Sequence, residues 1–427
     1  MSAEQGRSIS APARPRVLVC AYAISPYLGS EYGVAWNFVS GLSEHYDLTV
    51  LYGTSGGRMG NNAEMVEYLG RVGPGRVEYV FVRPSRAVLA FDWLNQHVNP
   101  IFFSWSYRLW LRQVLEAGRE ETRKRKYDLV HQLGTIGFRN PGFLWRLGIP
   151  FVWGPVGGSA SMNWSLFPLL GSKGRFRHLV RNVTNVFFLR WSSKVRDAAR
   201  AAAAVFCATR ADQENFRKYV GVESSVIREN AIMHRATAPR PTGSHLNFVW
   251  AGRVDDQKAL RLLIEALGKV ARPGPWTLHV VGDGPARDEC VALAEARGIG
   301  RQVRWYGTVP RPEVLRIMRE GDVHVITSLL DSNPTVMLEA FEACIPTISL
   351  NHGGMGEMIT PETGFRIEVT DPDRIVNDLA GRLAQCIDEP AMVDAMKSRI
   401  LDVQGEYHWD VNIARARTIY EGALARG

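Results

Sequence analysis

The sequence predicts an α/β protein of two domains, each a parallel sheet covered by helices, with the carboxyl ends of the two sheets facing across a cleft. Strand-like apolar runs alternate with helical segments of roughly 8 to 14 residues, the pattern of parallel strands joined by crossover helices. The alternation breaks once, at residues 236–245 (ATAPRPTGSH), where Pro, Gly and small polar residues suit a linker, and then restarts. A chain of 427 residues with 46% hydrophobic content carries enough apolar surface for two cores.

In the first half, RVLVCAY (residues 16–22) reads as a strand. The loop SPYLGS follows, and Ala35, Phe38, Val39 and Leu42 then fall at helical spacing before a second strand in DLTVLYG. Within PYLGSEYG, Gly29 and Gly33 permit close backbone approach to a phosphate or sugar, although a tight strand-to-helix turn needs them equally. YDLVHQLG and GIPFVWGPVGG read as strands ending in loops of a functional type, and AAAVFCATR as a late strand of the same sheet. The second half runs LNFVWAGR, a helix over 259–270, WTLHVVGDG, a helix over 285–297, QVRWYG, a helix over 312–319, VHVITS, a helix over 335–343 and TISL. Open α/β sheets bind ligands beyond the carboxyl ends of their strands, so the loops there are where chemistry is expected.

Composition narrows the class. The N-terminal MSAEQGRSISAPARP is polar and lacks the apolar run of a signal peptide, and no later stretch reaches about 18 uncharged apolar residues, so a cytoplasmic protein is expected. Cys20, Cys207, Cys290, Cys344 and Cys386 form no C-x-x-C pair and leave one over from any pairing; each is read as a small core or surface residue. The net charge of +8 is uneven: residues 1–235 hold 30 Lys and Arg against 17 Asp and Glu, and residues 101–200 alone hold 17 against 5. These cations interleave with aromatics, as in FFSWSYRLWLRQ and WSLFPLLGSKGRFRHLVR. No zinc-finger, RRM or helix-turn-helix signature accompanies them, so nucleic acid is not expected. Amphipathic segments with Trp and Phe beside Lys and Arg fit anionic lipid or a lipid-linked diphosphate better, against the plain alternative of solvated basic helix faces.

Two clusters in the second half suggest a site. Arg253, with Lys258 five residues on in GRVDDQKAL, places two cations near a helix N-terminus, where free N–H groups and the dipole already favour a diphosphate. In LLDSNPTVMLEAFEACIPTI, Val336, Leu338 and Phe341 serve packing while Asp331, Glu339 and Glu342 add acids; a lone helical Glu is ordinarily solvated, so context decides. The D-x-D of Asp371 and Asp373 reads as a turn and helix cap, and no metal site is expected.

Together these stretches resemble the family 4 glycosyltransferases, retaining nucleotide-sugar enzymes with the GT-B fold of two facing Rossmann-like domains. The resemblance spans nearly the whole chain and is strongest over residues 248–364. The family signature, an acid, seven residues, then Glu-Ala, reads Asp331-SNPTVML-Glu339-Ala340 here, with Asp where Glu is usual. Arg253 and Lys258 match the family's diphosphate pair, with Ala259 where Gly is common. PYLGSEYGVAWN looks like the glycine-rich first-domain loop, and YHWDVNIARARTIY resembles the closing segment.

The resemblance implies an acceptor-binding domain over 1–240, a nucleotide-sugar-binding domain over 241–405 and, over 406–427, a helix crossing back to the first domain. It implies that Glu339 accepts hydrogen bonds from the ribose hydroxyls and that Asp331 lies beside the sugar. The backbone of Ser332, Asn333, Pro334 and Thr335 would hold phosphate and sugar oxygens, with Gly29, Gly252, Gly282 and Gly307 bordering the donor. His131, in DLVHQ, would stand near the transferred sugar. Arg253 and Lys258 would stabilise the leaving diphosphate with no cofactor and no metal. For the acceptor, the basic aromatic stretch points to a lipid-linked, diphosphate-bearing saccharide of a cell-envelope or exported polysaccharide. Trp105, Trp110, Arg175, Arg177 and Arg190, with Phe187, Phe188 and Trp191, would form the face resting peripherally on the inner leaflet of the cytoplasmic membrane. A soluble acceptor, a nucleotide-sugar epimerase, a phosphorylase and a basic nucleic-acid- or membrane-binding scaffold stand as alternatives.

Overall fold

The computed structural model describes residues 14–73, 75–270 and 275–426. Most strands are nearly continuous Val, Leu, Ile and aromatic runs, as burial on both faces requires. In the first half, β1 (Arg16–Cys20), β2 (Asp47–Tyr52), β3 (Val77–Phe81), β4 (Leu129–Gln132), β5 (Phe151–Val156), β6 (Ala204–Cys207) and β7 (Ser225–Val226) form one parallel sheet in the order β3-β2-β1-β4-β5-β6-β7. In the second half, β8 (Leu246–Ala251), β9 (Trp276–Val281), β10 (Val303–Gly307), β11 (Val323–Ile326), β12 (Thr347–Leu350) and β13 (Gly364–Ile367) form another, ordered β10-β9-β8-β11-β12-β13. The polar N-terminal stretch read as leaderless lies, up to residue 13, outside the described residues.

Strand order reverses beside the first strand of each sheet. Val17 of β1 pairs with Leu48 on one side and Leu129 on the other, and Phe248 of β8 pairs with Leu278 and Val323. At such a switch point the loops leaving adjacent strands run apart and open a crevice. The loops after β1 and β4, and those after β8 and β11, therefore frame a cleft between the sheets.

Two further segments tie the halves together. Met162, Leu166, Leu169 and Leu170, from the first half, are buried in the core of the second sheet with Leu263 and Ile375. In return, Trp409, Ile413, Ala416, Tyr420 and Ala423 of the last helix, Trp409–Leu424, are buried with Val19, Phe38 and Val39 of the first sheet. The aromatic run WSLFPLL thus belongs largely to a contact between halves. All five cysteines are free and buried.

The helix predicted over 259–270 runs Leu260–Lys269, because Ala259 adopts a left-handed conformation (φ +48°) and is buried with its methyl in the core. Lys258, the residue before it, borders the cleft. A left-handed L-residue costs about 1–2 kcal/mol, offset against a buried methyl and the extra backbone freedom of Gly. Ala259→Gly is therefore expected to change stability by less than about 1 kcal/mol, whereas Ala259→Val, β-branched at positive φ, loses about 2 kcal/mol or more. Urea denaturation of the two variants checks the contrast, and equal losses would refute the strain account.

Candidate active site

The cleft holds a cavity of about 570 Å³ bordered by Glu31, Ile136, Gly137, Gly157 and Gly158 from the first half and by Lys258 and residues 331–336 from the second. Lys258 and Asp331, on the loops after the adjacent strands β8 and β11, form an ion pair inside it; their side chains are 29% and 22% exposed. The cation is therefore held at the cleft by the acid, not displayed on an outer face. Ser332, Asn333, Pro334 and Thr335 follow, and Pro334 precedes the helix Thr335–Glu342, whose first N–H groups open onto the same cavity.

A second cavity, of about 380 Å³, shares Ala251, Gly252 and Val336 with the first and is lined further by Arg253, Gly282, Asp283, Val309 and Glu339. Glu339, 12% exposed, receives the Arg311 Nε at 3.2 Å, and burial raises its pKa despite that cation. It is thus a partly desolvated carboxylate facing an apolar-walled hollow. Glu342, on the same helix, instead lies near the Met233 N–H at 3.4 Å. Arg253 is 71% exposed and stands 3.6 Å from Asp255, so it reaches the cavity from the rim.

Glycine is required where these strand ends crowd. A Cβ on Gly282 would stand 1.9 Å from the Gly252 carbonyl oxygen, and one on Gly354, in the helix Gly353–Met358, 1.7 Å from that of Ser332. Gly282 N–H donates to the Gly307 carbonyl at 2.9 Å, which stitches the ends of β9 and β10 together beside the smaller cavity. Gly307 itself does not border either cavity. Gly29 precedes the helix Ser30–Leu42 and is exposed; its neighbours Ser30 and Glu31 are the ones that line the cleft.

Three expected residues sit elsewhere. His131 is fully buried beneath the last helix. Its Nε2 contacts the Gly154 carbonyl at 2.7 Å and its Nδ1 the Tyr420 hydroxyl at 2.7 Å, and burial lowers its pKa to about 4. A strand-end position was correctly read, but β4 points this side chain into the sheet's helical cover instead of at a sugar. Trp110 is also fully buried, with Nε1 donating to the Val82 carbonyl at 2.9 Å, so it packs the core and forms no part of an outer face. Arg175 is tied to the Leu170 and Pro168 carbonyls and steadies the turn before its own helix. By contrast Trp105, Phe187 and Trp191 are more than half exposed, Arg190 is exposed, and Arg177 reaches Gln257 of the second half at 3.4 Å. Phe188 is partly buried under the Arg139 guanidinium. Asp371 caps the helix Pro372–Asp388, accepting from the Arg374 N–H at 3.0 Å.

Glu229 and Asn230 were missed. They follow β7, line the larger cavity and meet the second half through Asn333: its side-chain amide donates to Glu229 and to the Ala208 carbonyl, and Asn230 reaches its carbonyl at 3.4 Å. The two-residue strand before them is too short to mark a strand-end loop in the sequence. Burial pushes the Glu229 pKa up to about 7.

Comparison with known proteins adds to this geometry. Residues 242–398 match the family model described as glycosyl transferases group 1. Glycogen synthase of Mycobacterium tuberculosis is 30% identical over 173 residues, 40% of this chain and 41% of that protein. The chain spans about two fifths of the length of the curated relatives it matches first. The lipopolysaccharide outer core galactosyltransferase WaaB, in apo form, superposes with a TM-score of 0.64 at 17% identity, covering 94% of this chain and 99% of that one. Anabaena Alr3699/HepE in complex with UDP and glucose gives a TM-score of 0.56 at 17% identity over 96% and 100%. The fold is GT-B: two facing Rossmann-like domains with parallel sheets.

The Glu229 carboxyl has a testable pH signature. Its folded pKa is raised above the unfolded value, so the folded state binds the extra proton and its contribution is lost as pH rises from about 4.5 through about 7. A shift of this size is worth roughly 3 kcal/mol. Glu229→Gln keeps an acceptor for the Asn333 amide and carries no charge, so its melting temperature is expected to match the wild type at pH 5 and exceed it at pH 8. Parallel melting curves across that range would contradict the assignment.

Proposed function

We propose that this protein is a family 4 glycosyltransferase that moves a sugar, with retention of anomeric configuration, from a nucleoside-diphosphate sugar to a lipid-linked saccharide used in a cell-envelope or exported polysaccharide. The observation that carries the reading is the convergence of Lys258, Asp331 and the amino end of Thr335–Glu342 in one cleft, with the hollow of Glu339 opening off it. The group 1 match over 242–398 covers all of these residues.

In this reading the nucleoside occupies the smaller cavity, where the Glu339 carboxylate offers adjacent acceptors to two ribose hydroxyls. The diphosphate crosses the glycine-bordered strand ends to the N–H groups of residues 332–336. Departure of the nucleoside diphosphate builds negative charge on its terminal phosphate. Lys258, partly buried, and Arg253 from the rim oppose that charge, and Asp331 faces the sugar hydroxyls while holding Lys258 in place. The leaving-group charge is taken by these two cations and no metal is assigned. Front-face attack by the acceptor hydroxyl, its proton passing to the departing phosphate, accounts for retention.

The acceptor side rests on the first half. Leu89 and Trp93 on the helix Arg86–His97, Ile101 and Trp105 at the start of Phe102–Lys124, and Phe176, Val183, Phe187 and Trp191 on Ser172–Trp191 are exposed apolar side chains, accompanied by Arg108, Arg112, Lys173 and Arg190. Such a face suits a headgroup boundary, with each cation near an anionic surface worth about 1 kcal/mol. Among the described residues no helix is long and apolar enough to cross a membrane, so attachment is peripheral in this reading.

A panel of nucleotide sugars with polyprenyl-diphosphate saccharides as acceptors tests the activity. Lys258→Ala and Arg253→Ala are expected to lower kcat by about 10²- to 10³-fold with melting temperature little changed, and EDTA to leave the wild-type rate intact. Glu339→Gln is expected to raise the donor KM more than it lowers kcat, because ribose contacts persist from ground to transition state. Full turnover by the Lys258 variant would remove the diphosphate assignment.

Membrane contact is checked by sedimentation with vesicles. Binding to phosphatidylglycerol-containing vesicles at low salt, weakened at high salt and absent with neutral vesicles, is expected. Equal, negligible binding throughout would leave the basic aromatic face as solvated surface and favour a soluble acceptor.

A further inference from the structure

A third cavity, of about 480 Å³, adjoins the cleft, sharing Glu31, Gly137 and Gly158 with it, and runs away from it between the start of the helix Phe102–Lys124 and the helix Ser172–Trp191. Three guanidinium groups line it, those of Arg139, Arg177 and Arg181, against a single carboxylate, Glu31. Arg139 is fixed in place by Thr184 and Asn185, at 2.8 and 2.6 Å, and lies over the Phe188 ring. Arg181 is only partly exposed, yet its guanidinium makes no hydrogen bond or salt bridge with the described residues. The charge of Asp212 acts on it at a distance, but the Asp212 oxygens are taken by Ser159 and Thr209. Burial depresses the pKa of both Arg139 and Arg181. A half-buried cation with no ion-pair partner costs stability, and an anion entering the cavity would offset that cost.

We propose that Arg139, Arg177 and Arg181 form a phosphoryl-binding subsite for the acceptor, distinct from the donor's diphosphate site. The sugar to be extended passes the Glu31, Gly137 and Gly158 boundary into the cleft, and the group beyond the phosphates leaves past Val180, toward the exposed apolar residues Phe176 and Val183 of the same helix. This rests on the glycosyltransferase reading for the direction of the acceptor, but the anion site itself does not. Its chemistry is that of a phosphoryl anion, carried either as the diphosphate of a lipid carrier or as the phosphate of a soluble sugar phosphate.

Equilibrium dialysis of the full chain with labelled inorganic pyrophosphate tests it. Wild type is expected to bind two equivalents, Lys258→Ala to lose one, and Arg181→Gln to lose the other, with Kd rising at least about 10-fold. Arg177→Gln, at an exposed position, repeats the test should Arg181→Gln perturb folding. Two equivalents retained by both arginine variants, or no second equivalent in wild type, overturns the subsite. Two equivalents retained by Lys258→Ala alone leaves the subsite standing and removes the donor assignment. Farnesyl diphosphate displacing the arginine-dependent equivalent more strongly than glucose 1-phosphate assigns a lipid carrier. The reverse order keeps the subsite and assigns a soluble sugar phosphate.

Discussion

The cleft depends on the side chain of Asn333. Its amide donates across the gap to the Ala208 carbonyl, at the end of β6, and to Glu229, on the segment leaving the first sheet, and it is almost fully buried. Asn333 belongs to the loop that carries Asp331 and opens the helix Thr335–Glu342. Holding this loop against the first sheet fixes where the helix amino end points, and with it where an anion in the cleft would lie. The interaction is charge-assisted only to the extent that Glu229 is ionised, and burial keeps that proton equilibrium near neutrality.

Around this node the electrostatics follow from topology. Parallel strands place every strand-end loop of a sheet on one side, and two switch points set face to face bring four such loops together. Cations confined there have few ways to be satisfied without a ligand. Lys258 pairs with Asp331, Arg253 leans toward Asp255 on its rim, and Glu339 draws Arg311 from the preceding helix, Arg311–Glu320. Each pairing leaves the group partly exposed and exchangeable. The halves can afford such strained polarity because apolar contacts hold them together elsewhere, at Met162–Leu170 and along the last helix.

What was legible in the sequence was whatever depends on local pattern. Alternating apolar runs gave both sheets, and the loops after them gave the places of Lys258, Asp331 and residues 332–335. The backbone shift at Ala259 was signalled only as a departure from glycine. His131 and Trp110 misled for a shared reason: residue type and position along an element do not say which face is covered by a segment distant in sequence. His131 is roofed by Tyr420, 289 residues away, and Trp110 is buried against the carbonyl of Val82. Glu229 and Asn230 escaped for the opposite reason. They follow a strand of two residues, too short to announce a strand-end loop.

The basic aromatic middle shows how one compositional signal divides on folding. Part of it closes the interface between halves through Leu166 and Leu169, part fills the first core through Trp110, and part remains outside as Trp105, Phe176, Phe187 and Trp191. The arginines divide likewise. Arg175 is consumed by main-chain carbonyls, Arg190 stays in solvent, and Arg139 and Arg181 turn inward to a cavity that Arg177 borders from its exposed side. Net charge alone therefore overstates the outer positive face and hides the inner one. A surface that only needed to be basic for solubility would keep its guanidiniums hydrated. Drawing Arg139 and Arg181 out of solvent into a hollow beside the cleft, with the Arg181 guanidinium lacking a hydrogen bond or ion pair among the described residues, costs solvation that an incoming anion restores, and this makes the inward cluster more informative about function than the larger excess outside.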